Sequence, residues 1–373
     1  MGAGFLFAFI IFNKTFNLQN PLTNSPAYIN QGAIAWFSNL RVIALFSVIV
    51  LHTASPLLMN FKTTSLADWF AADIYNALTR FAVPVFVMIT GALLLRRDYD
   101  LADFLKKRFT RVLWPFLIWS LVYVAYSWYD EELPFYGDFG QDALSVLHQL
   151  RNGAYYHLWY VYMLVGLYLV VPVIGKFVRN SNEKELRYFL LVWFIVILFS
   201  QPWLNSYWPQ IDVKYFSGYI GYLVLGYYLA NADLNGRAPG SGLLIFYFLC
   251  LTAIITGTYL ITNNTKNIST VLYEPLGPFA ILYAAGIFLL ARVTVFKLPQ
   301  GLVKLRDLIS NLSLGIYLCH AVILNRLDDF GLSSKFGNPY YSIPLTALVC
   351  LILSFGVIYI LSKIPFAGKY IAG

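Results

Sequence analysis

The chain has 373 residues, of which 59% are apolar and only 12% charged, and its net charge is +8. Ordinary soluble domains carry about twice that charge fraction, and a water-soluble domain of this size has no interior large enough for so much apolar surface. Disorder and nucleic-acid binding both need abundant charge and fall on the same ground, whereas 18% aromatic residues suit long membrane–water boundaries.

A spanning helix needs about 20 mostly apolar residues. The first apolar run, Phe5 to Phe12, is too short to span and lacks a basic leader and a small-residue cleavage site. Residues 1–32 are therefore expected to form an extension lying along the interface. Ten candidate spans follow, near 34–59, 72–95, 111–129, 156–175, 187–204, 215–231, 242–262, 275–296, 309–327 and 342–363. The fold class expected is an all-α, polytopic integral membrane protein. Residues 33–365 form one transmembrane domain, and 366–373 a cytoplasmic tail.

The loops set the orientation. Basic residues collect after the even-numbered spans: Arg96, Arg97, Lys106, Lys107, Arg108 and Arg111, then Lys176, Arg179, Lys184 and Arg187, then Arg237, then Arg292, Lys297, Lys304 and Arg306, and finally Lys363 and Lys369. The opposite loops hold only Lys62, Arg151, Lys214, Lys266, Arg326 and Lys335. Positive residues mark the cytoplasmic side, so both termini are expected there. The acidic loop with Asp130, Glu131, Glu132, Asp138 and Asp142 then faces outward. Cys250, Cys319 and Cys350 all fall within spans, with no disulfide framework and no metal-ligand spacing, so no metal is expected. No repeat, P-loop or dinucleotide-binding glycine pattern is found.

Ionisable residues inside spans are costly and are functional candidates by default. Arg41 and His52 are eleven residues apart in LRVIALFSVIVLH, which puts them on one helix face with a rise of about 16 Å. A cation at the inner rim and an imidazole beyond the midplane suit a long anionic ligand inserted lengthwise, of the shape of coenzyme A. The plainer readings are an arginine snorkelling to lipid phosphates and a histidine satisfied by packing. Arg80 is expected at a depth comparable to His52, either stabilising an oxyanion or pairing with Asp73 or with helix-end carbonyls. His320 is expected at a similar depth, with Tyr317 on its face one turn earlier. It is either catalytic or hydrogen-bonded across helices. Arg108 and Arg111 share a face and form either a phosphate clamp or a lipid-contacting belt. His157, Trp159 and Tyr160 lie at the outer mouth of the fourth span, where aromatic residues also serve as interfacial anchors.

These segments together resemble the membrane-bound acyltransferase 3 family, the integral-membrane enzymes that O-acylate bacterial surface carbohydrates. The most specific match is the Arg-x10-His pattern from Arg41 to His52. VPVFVMITGALLL stands where the family usually has Val-Pro-x-Phe-Phe-x-x-Ser-Gly, with Thr90 in place of the serine before Gly91. The basic segment ending Arg108, Arg111 and Pro115 comes next, then HLWYVYMLVGLYLVVPVI from His157, YFSGYIGYLVLGYYLA, and SLGIYLCHAVI with His320. The order is that of the family, and coverage runs from Ala35 to about residue 363. Many members carry an aspartate before Leu-Arg; here the stretch is Phe37-Ser38-Asn39-Leu40-Arg41. Among members the chain looks most like the short, enterobacterial-common-antigen O-acetyltransferase type without a fused SGNH domain.

The resemblance implies a multi-pass enzyme of the bacterial inner membrane. It would move an acetyl group from cytoplasmic acetyl-CoA to a hydroxyl of a surface polysaccharide or its lipid-linked precursor. His52 would act as base or carry the acetyl group. Arg41, Lys107, Arg108 and Arg111 would hold the donor's phosphates. Arg80, or Tyr317 with His320, would stabilise the oxyanion or orient the acceptor. His157, Trp159 and Tyr160 would stack on a sugar ring. The alternative is a transporter or flippase for a glycan or lipid-linked sugar, although inverted repeats and paired broken helices are not visible in the sequence.

Overall fold

Backbone polar groups in a bilayer must be bonded within the protein, which favours uninterrupted helices. The structure, a computed structural model, describes residues 17–18, 31–202, 218–233, 241–294 and 297–373. The run Phe5 to Phe12 lies outside them. The helices are α1 (Gln31–Met59), α2 (Leu66–Thr79), α3 (Ala82–Leu94), α4 (Leu101–Tyr129), α5 (Phe139–Asn152), α6 (Trp159–Asn180) and α7 (Glu183–Phe199). They continue with α8 (Ile220–Asn231), α9 (Ser241–Thr265), α10 (Pro278–Val293), α11 (Gln300–Asn311), α12 (Ser313–Asp329), α13 (Pro339–Ser362) and α14 (Gly368–Ala372). The fold is all-α, as expected. The exception among the described residues is a two-residue antiparallel ladder joining β1 (Asn17–Leu18) to β2 (Ala232–Asp233).

Among the described residues, seven helical segments are long and apolar enough to cross a membrane, or eight with the bent pair α11 and α12 counted as one. α2 and α3 make one of these, from Leu66 to Leu94. The segments expected at 187–204 and 215–231 correspond to α7, of 17 residues, and α8, of 12. Residues 203–217, which join them, lie outside the described residues.

α1 is the hub of the bundle, packing against α2, α3, α10, α11, α12 and α13. Leu40, Ala44, Leu45, Ile49, Ala54 and Leu58 are all fully buried along it. Arg41 and His52, on the same helix, are half-buried.

α3 and α8 cross at two glycines. A Cβ on Gly91 would stand 2.0 Å from the Leu223 carbonyl oxygen, and one on Gly226 2.0 Å from that of Met88. Small residues allow this backbone approach, which membrane helices use for packing in the absence of a strong hydrophobic drive. The Thr90–Gly91 pair of the resemblance thus has a packing role at Gly91. Gly91→Val is expected to cost more than about 3 kcal/mol, because the obstacle is backbone that has no rotamer to move. The variant should fail to accumulate in membranes or melt far below wild type in detergent. Gly166→Ala, whose Cβ would meet nothing within 4 Å, should melt near wild type.

The segment expected as a tail is instead folded onto the bundle. α14 packs against α4, α12 and α13, Gly368 and Ala372 are buried, and the Trp119 indole N–H donates to the Ile371 carbonyl at 3.2 Å. A buried indole needs an acceptor, and the C-terminal helix supplies it.

Candidate active site

Three histidines, two from helices and one from a turn, meet inside the bundle. His52 comes from α1, His157 from the turn just before α6, and His320 from α12. Ring centroids are 5.3 Å apart for His52 and His320, 4.9 Å for His157 and His320, and 6.5 Å for His52 and His157. His157 and His320 are fully buried, whereas His52 keeps partial access. Tyr156, 51% exposed, sets its ring edge against His52 at 4.9 Å.

Carbonyl contacts set the chemistry of the two buried rings. His320 Nδ1 lies 2.5 Å from the Tyr317 carbonyl oxygen, and His157 Nε2 lies 3.4 Å from that of Leu318. A carbonyl only accepts, so each of these nitrogens carries the proton, and the opposite nitrogen carries a lone pair. Those opposite nitrogens, His320 Nε2 and His157 Nδ1, have no partner among the described residues. Tyr317 donates its hydroxyl to the His157 carbonyl at 2.5 Å, and Tyr123 donates to the Leu318 carbonyl at 2.7 Å. These bonds lock the rings through the backbone of α12 and the start of α6. His52 is the ring that remains reachable in front of them.

The second part of the site is a cavity of about 160 Å³ lined by Arg41, Arg108, Arg111, Thr90, Tyr160, Tyr168, Ser310, Asn311, Ser313 and Tyr317, among others. Arg41 donates to Ser310 Oγ at 3.3 Å and makes no ion pair among the described residues. Asn39, in the stretch where many relatives have an acid, accepts instead from Arg306 at 3.1 Å. The cavity borders the break between α11 and α12, which bend by 77°. α12 begins at Ser313 with no side-chain cap. Its first N–H groups and its dipole therefore add positive potential beside three guanidinium groups, an arrangement suited to phosphate. Tyr317 lines this cavity and also contacts His157 and His320, so one tyrosine joins the two parts of the site.

The structure thus brings together His52, His157, His320 and Tyr317 in one group, and Arg41, Arg108 and Arg111 in the other. Lys107 stands apart from both. It is exposed, pairs with Asp103 at 3.8 Å, and lines a neighbouring groove. On α4 it points about 100° away from Arg108. Arg80 sits at the α2–α3 break, where it donates to Asn76 at 2.7 Å and lies 4.3 Å over the Tyr273 ring. Asp73, expected as its partner, instead accepts from the Tyr273 hydroxyl. Ser55, one turn beyond His52, also bonds Asn76, at 3.3 Å, so Arg80 connects to α1 through that amide. Of the expected sugar platform, Trp159 is exposed but His157 and Tyr160 are buried. Stacking needs an open ring face, so neither buried ring provides one; His157 belongs to the histidine cluster. Tyr156 and the α11–α12 break escaped the sequence reading. The Ser310-Asn311-Leu312-Ser313 run is a turn signal that points to the break.

Outside the spans, the end of α4 is clamped on Asp130. The Tyr126 hydroxyl and the Arg326 guanidinium, at 2.7 Å, hold its carboxyl below the usual carboxylate range.

Residues 34–363 match the acyltransferase domain of the acyltransferase 3 family. A stretch of 89 residues is 34% identical to the succinoglycan biosynthesis protein ExoH of Rhizobium meliloti (strain 1021), covering 22% of this chain and 23% of that protein. The match therefore spans less than a quarter of that curated relative. No solved structure matches. With the family domain running from α1 to the end of α13 and both parts of the site inside it, the chain belongs to the acyltransferase 3 family and is an all-α, multi-pass membrane protein.

Proposed function

We propose that the protein transfers an acetyl group from acetyl-CoA to a hydroxyl of a bacterial surface polysaccharide or its lipid-linked precursor, across the inner membrane. The observation that carries this reading is one tyrosine, Tyr317, lining the arginine cavity on one side and touching two histidines on the other. The sorting of basic residues supports a cavity that faces the cytoplasm, where acetyl-CoA is found. The similarity to a succinoglycan biosynthesis protein supports a polysaccharide acceptor. The chain also resembles the short, enterobacterial-common-antigen O-acetyltransferase type of the family, which supports acetyl as the group transferred.

Arg41, Arg108, Arg111 and the N-terminus of α12 would bind the donor's phosphates, and the donor supplies an activated acetyl thioester. An alcohol is a weak nucleophile near neutral pH and needs a base. His52 accepts the hydroxyl proton as the alcohol oxygen bonds the acetyl carbon. It returns that proton to the departing sulfur as the C–S bond breaks, leaving an ester and a free thiol. His320 and His157, each held in one tautomer, keep the His52 ring in place. Tyr160 and Tyr317, with rings 5.2 Å apart, stand between the cavity and the histidines, so the pantetheine arm must pass them.

Purified protein given acetyl-CoA and an acceptor glycan should release free thiol, and surface glycans from a deletion strain should lose about one acetyl mass per modified unit on mass spectrometry. Glycan transport without thiol release would favour a transporter instead. The deletion strain also separates acetyl from succinyl transfer by the mass that disappears.

A further inference from the structure

A second cavity, of about 510 Å³, opens between the start of α4 and the C-terminal helix α14. Lys106, Lys107, Arg111, Lys369, Tyr370 and Gly373 line it, with Asp103 as its side-chain carboxylate. Asp103 is engaged by Lys107 at 3.8 Å, so the remaining cations are not neutralised by it. Lys106 makes no ion pair among the described residues, nor does Lys369, which lies 4.7 Å over the Tyr370 ring.

The setting of this groove points to its ligand. Exposed residues continue from it along α4 at helical spacing: Lys107 and Arg111, then Trp114, Leu117 and Leu121, the last three 51%, 40% and 51% exposed. Apolar residues so exposed on a spanning helix face lipid. Trp114 sets its ring edge against Tyr370 at 6.0 Å, directly where the cationic and apolar stretches meet. Tryptophan and tyrosine favour that headgroup level. A ligand with an anionic head and apolar tails fits both stretches at once; a soluble phosphate would use only the first.

We propose that this groove binds the phosphate of an anionic phospholipid headgroup, with the acyl chains lying along Trp114, Leu117 and Leu121. Arg111 lines both this groove and the Arg41 cavity. On α4 it lies about 40° from Lys107 and 60° from Arg108, between the two faces. The bound lipid therefore sits next to the donor cavity and anchors the C-terminal helix against α4. The reading needs only that the bundle spans a membrane, and does not depend on the acceptor.

The test uses the full-length protein in nanodiscs or detergent, with phosphatidylglycerol and phosphatidylcholine offered in equal amounts and retention read by native mass spectrometry. Wild type should retain phosphatidylglycerol in preference, and that preference should fall in high salt as exposed charges are screened. Lys106→Gln combined with Lys369→Gln keeps the aliphatic stems and removes two charges. It should weaken phosphatidylglycerol retention roughly 30-fold while the affinity for acetyl-CoA stays at the wild-type value. A double variant that keeps the preference overturns the proposal. So does a wild type that shows none or whose preference is indifferent to salt, a reading that needs no variant to fold. A double variant that loses acetyl-CoA affinity assigns the groove to a phosphate of the donor, which also overturns it.

Discussion

His52→Ala is expected to lower acyl transfer by about 10³-fold or more while the protein folds and inserts normally. Loss of a positioned general base typically removes 10²- to 10⁴-fold, and His52 is the reachable ring of the cluster. Alanine is the best helix former, and the side chain is not fully buried, so α1 should tolerate the change. Thiol release and glycan acetylation should vanish together, with the melting temperature in detergent close to wild type. Near wild-type transfer would remove His52 from the chemistry. His320→Ala is expected to behave differently. That ring is fully buried and bonded to a backbone carbonyl, so its loss leaves a cavity in the bundle. Activity and stability should fall together, which distinguishes a ring that supports the site from one that reacts.

Arg41→Ala should weaken acetyl-CoA binding by about 10- to 150-fold. A hydrogen bond to a charged group contributes about 1.5–3 kcal/mol, and each 1.4 kcal/mol is about tenfold. Arg41 has one neutral partner, Ser310, and no carboxylate among the described residues, so its charge is open to a phosphate. The measurement is acetyl-CoA titration of the purified protein. Unchanged affinity with lost turnover would place Arg41 elsewhere in the reaction. Arg41→Lys should recover only part of the binding, because an ammonium lacks the planar fork that grips a phosphate.

The sequence carried the parts of the site that lie on one helix. The Arg41–His52 face follows from helix period alone. So does the Tyr317–His320 pairing, and the structure adds its bond: the Tyr317 carbonyl holds the His320 ring. The same period separates Lys107 from Arg108, yet a run of basic residues reads as one patch until a neighbouring helix divides it. The Arg41 cavity lies on one side of that division, and the groove against α14 on the other. Asp73 and Arg80 are two turns apart and look like a pair. Tyr273, 200 residues on from Asp73, inserts between them, and no local pattern announces that.

Taken alone, the sequence determined the membrane class, most of the spanning segments, the sorting of charge and the shared helix face of Arg41 and His52. These are local properties: hydropathy over about 20 residues and side-chain direction every 100°. Tertiary structure decided which helices meet. Gly91 and Gly226 let α3 and α8 cross at backbone contact, the bend at Leu312 turns the start of α12 toward Arg41, and His157 moves from an expected sugar platform into the histidine cluster. Loops between spans carry no register, so these meetings depend on how surfaces of distant helices pack. That is a property of the assembled bundle, and it is where the three imidazoles become one site.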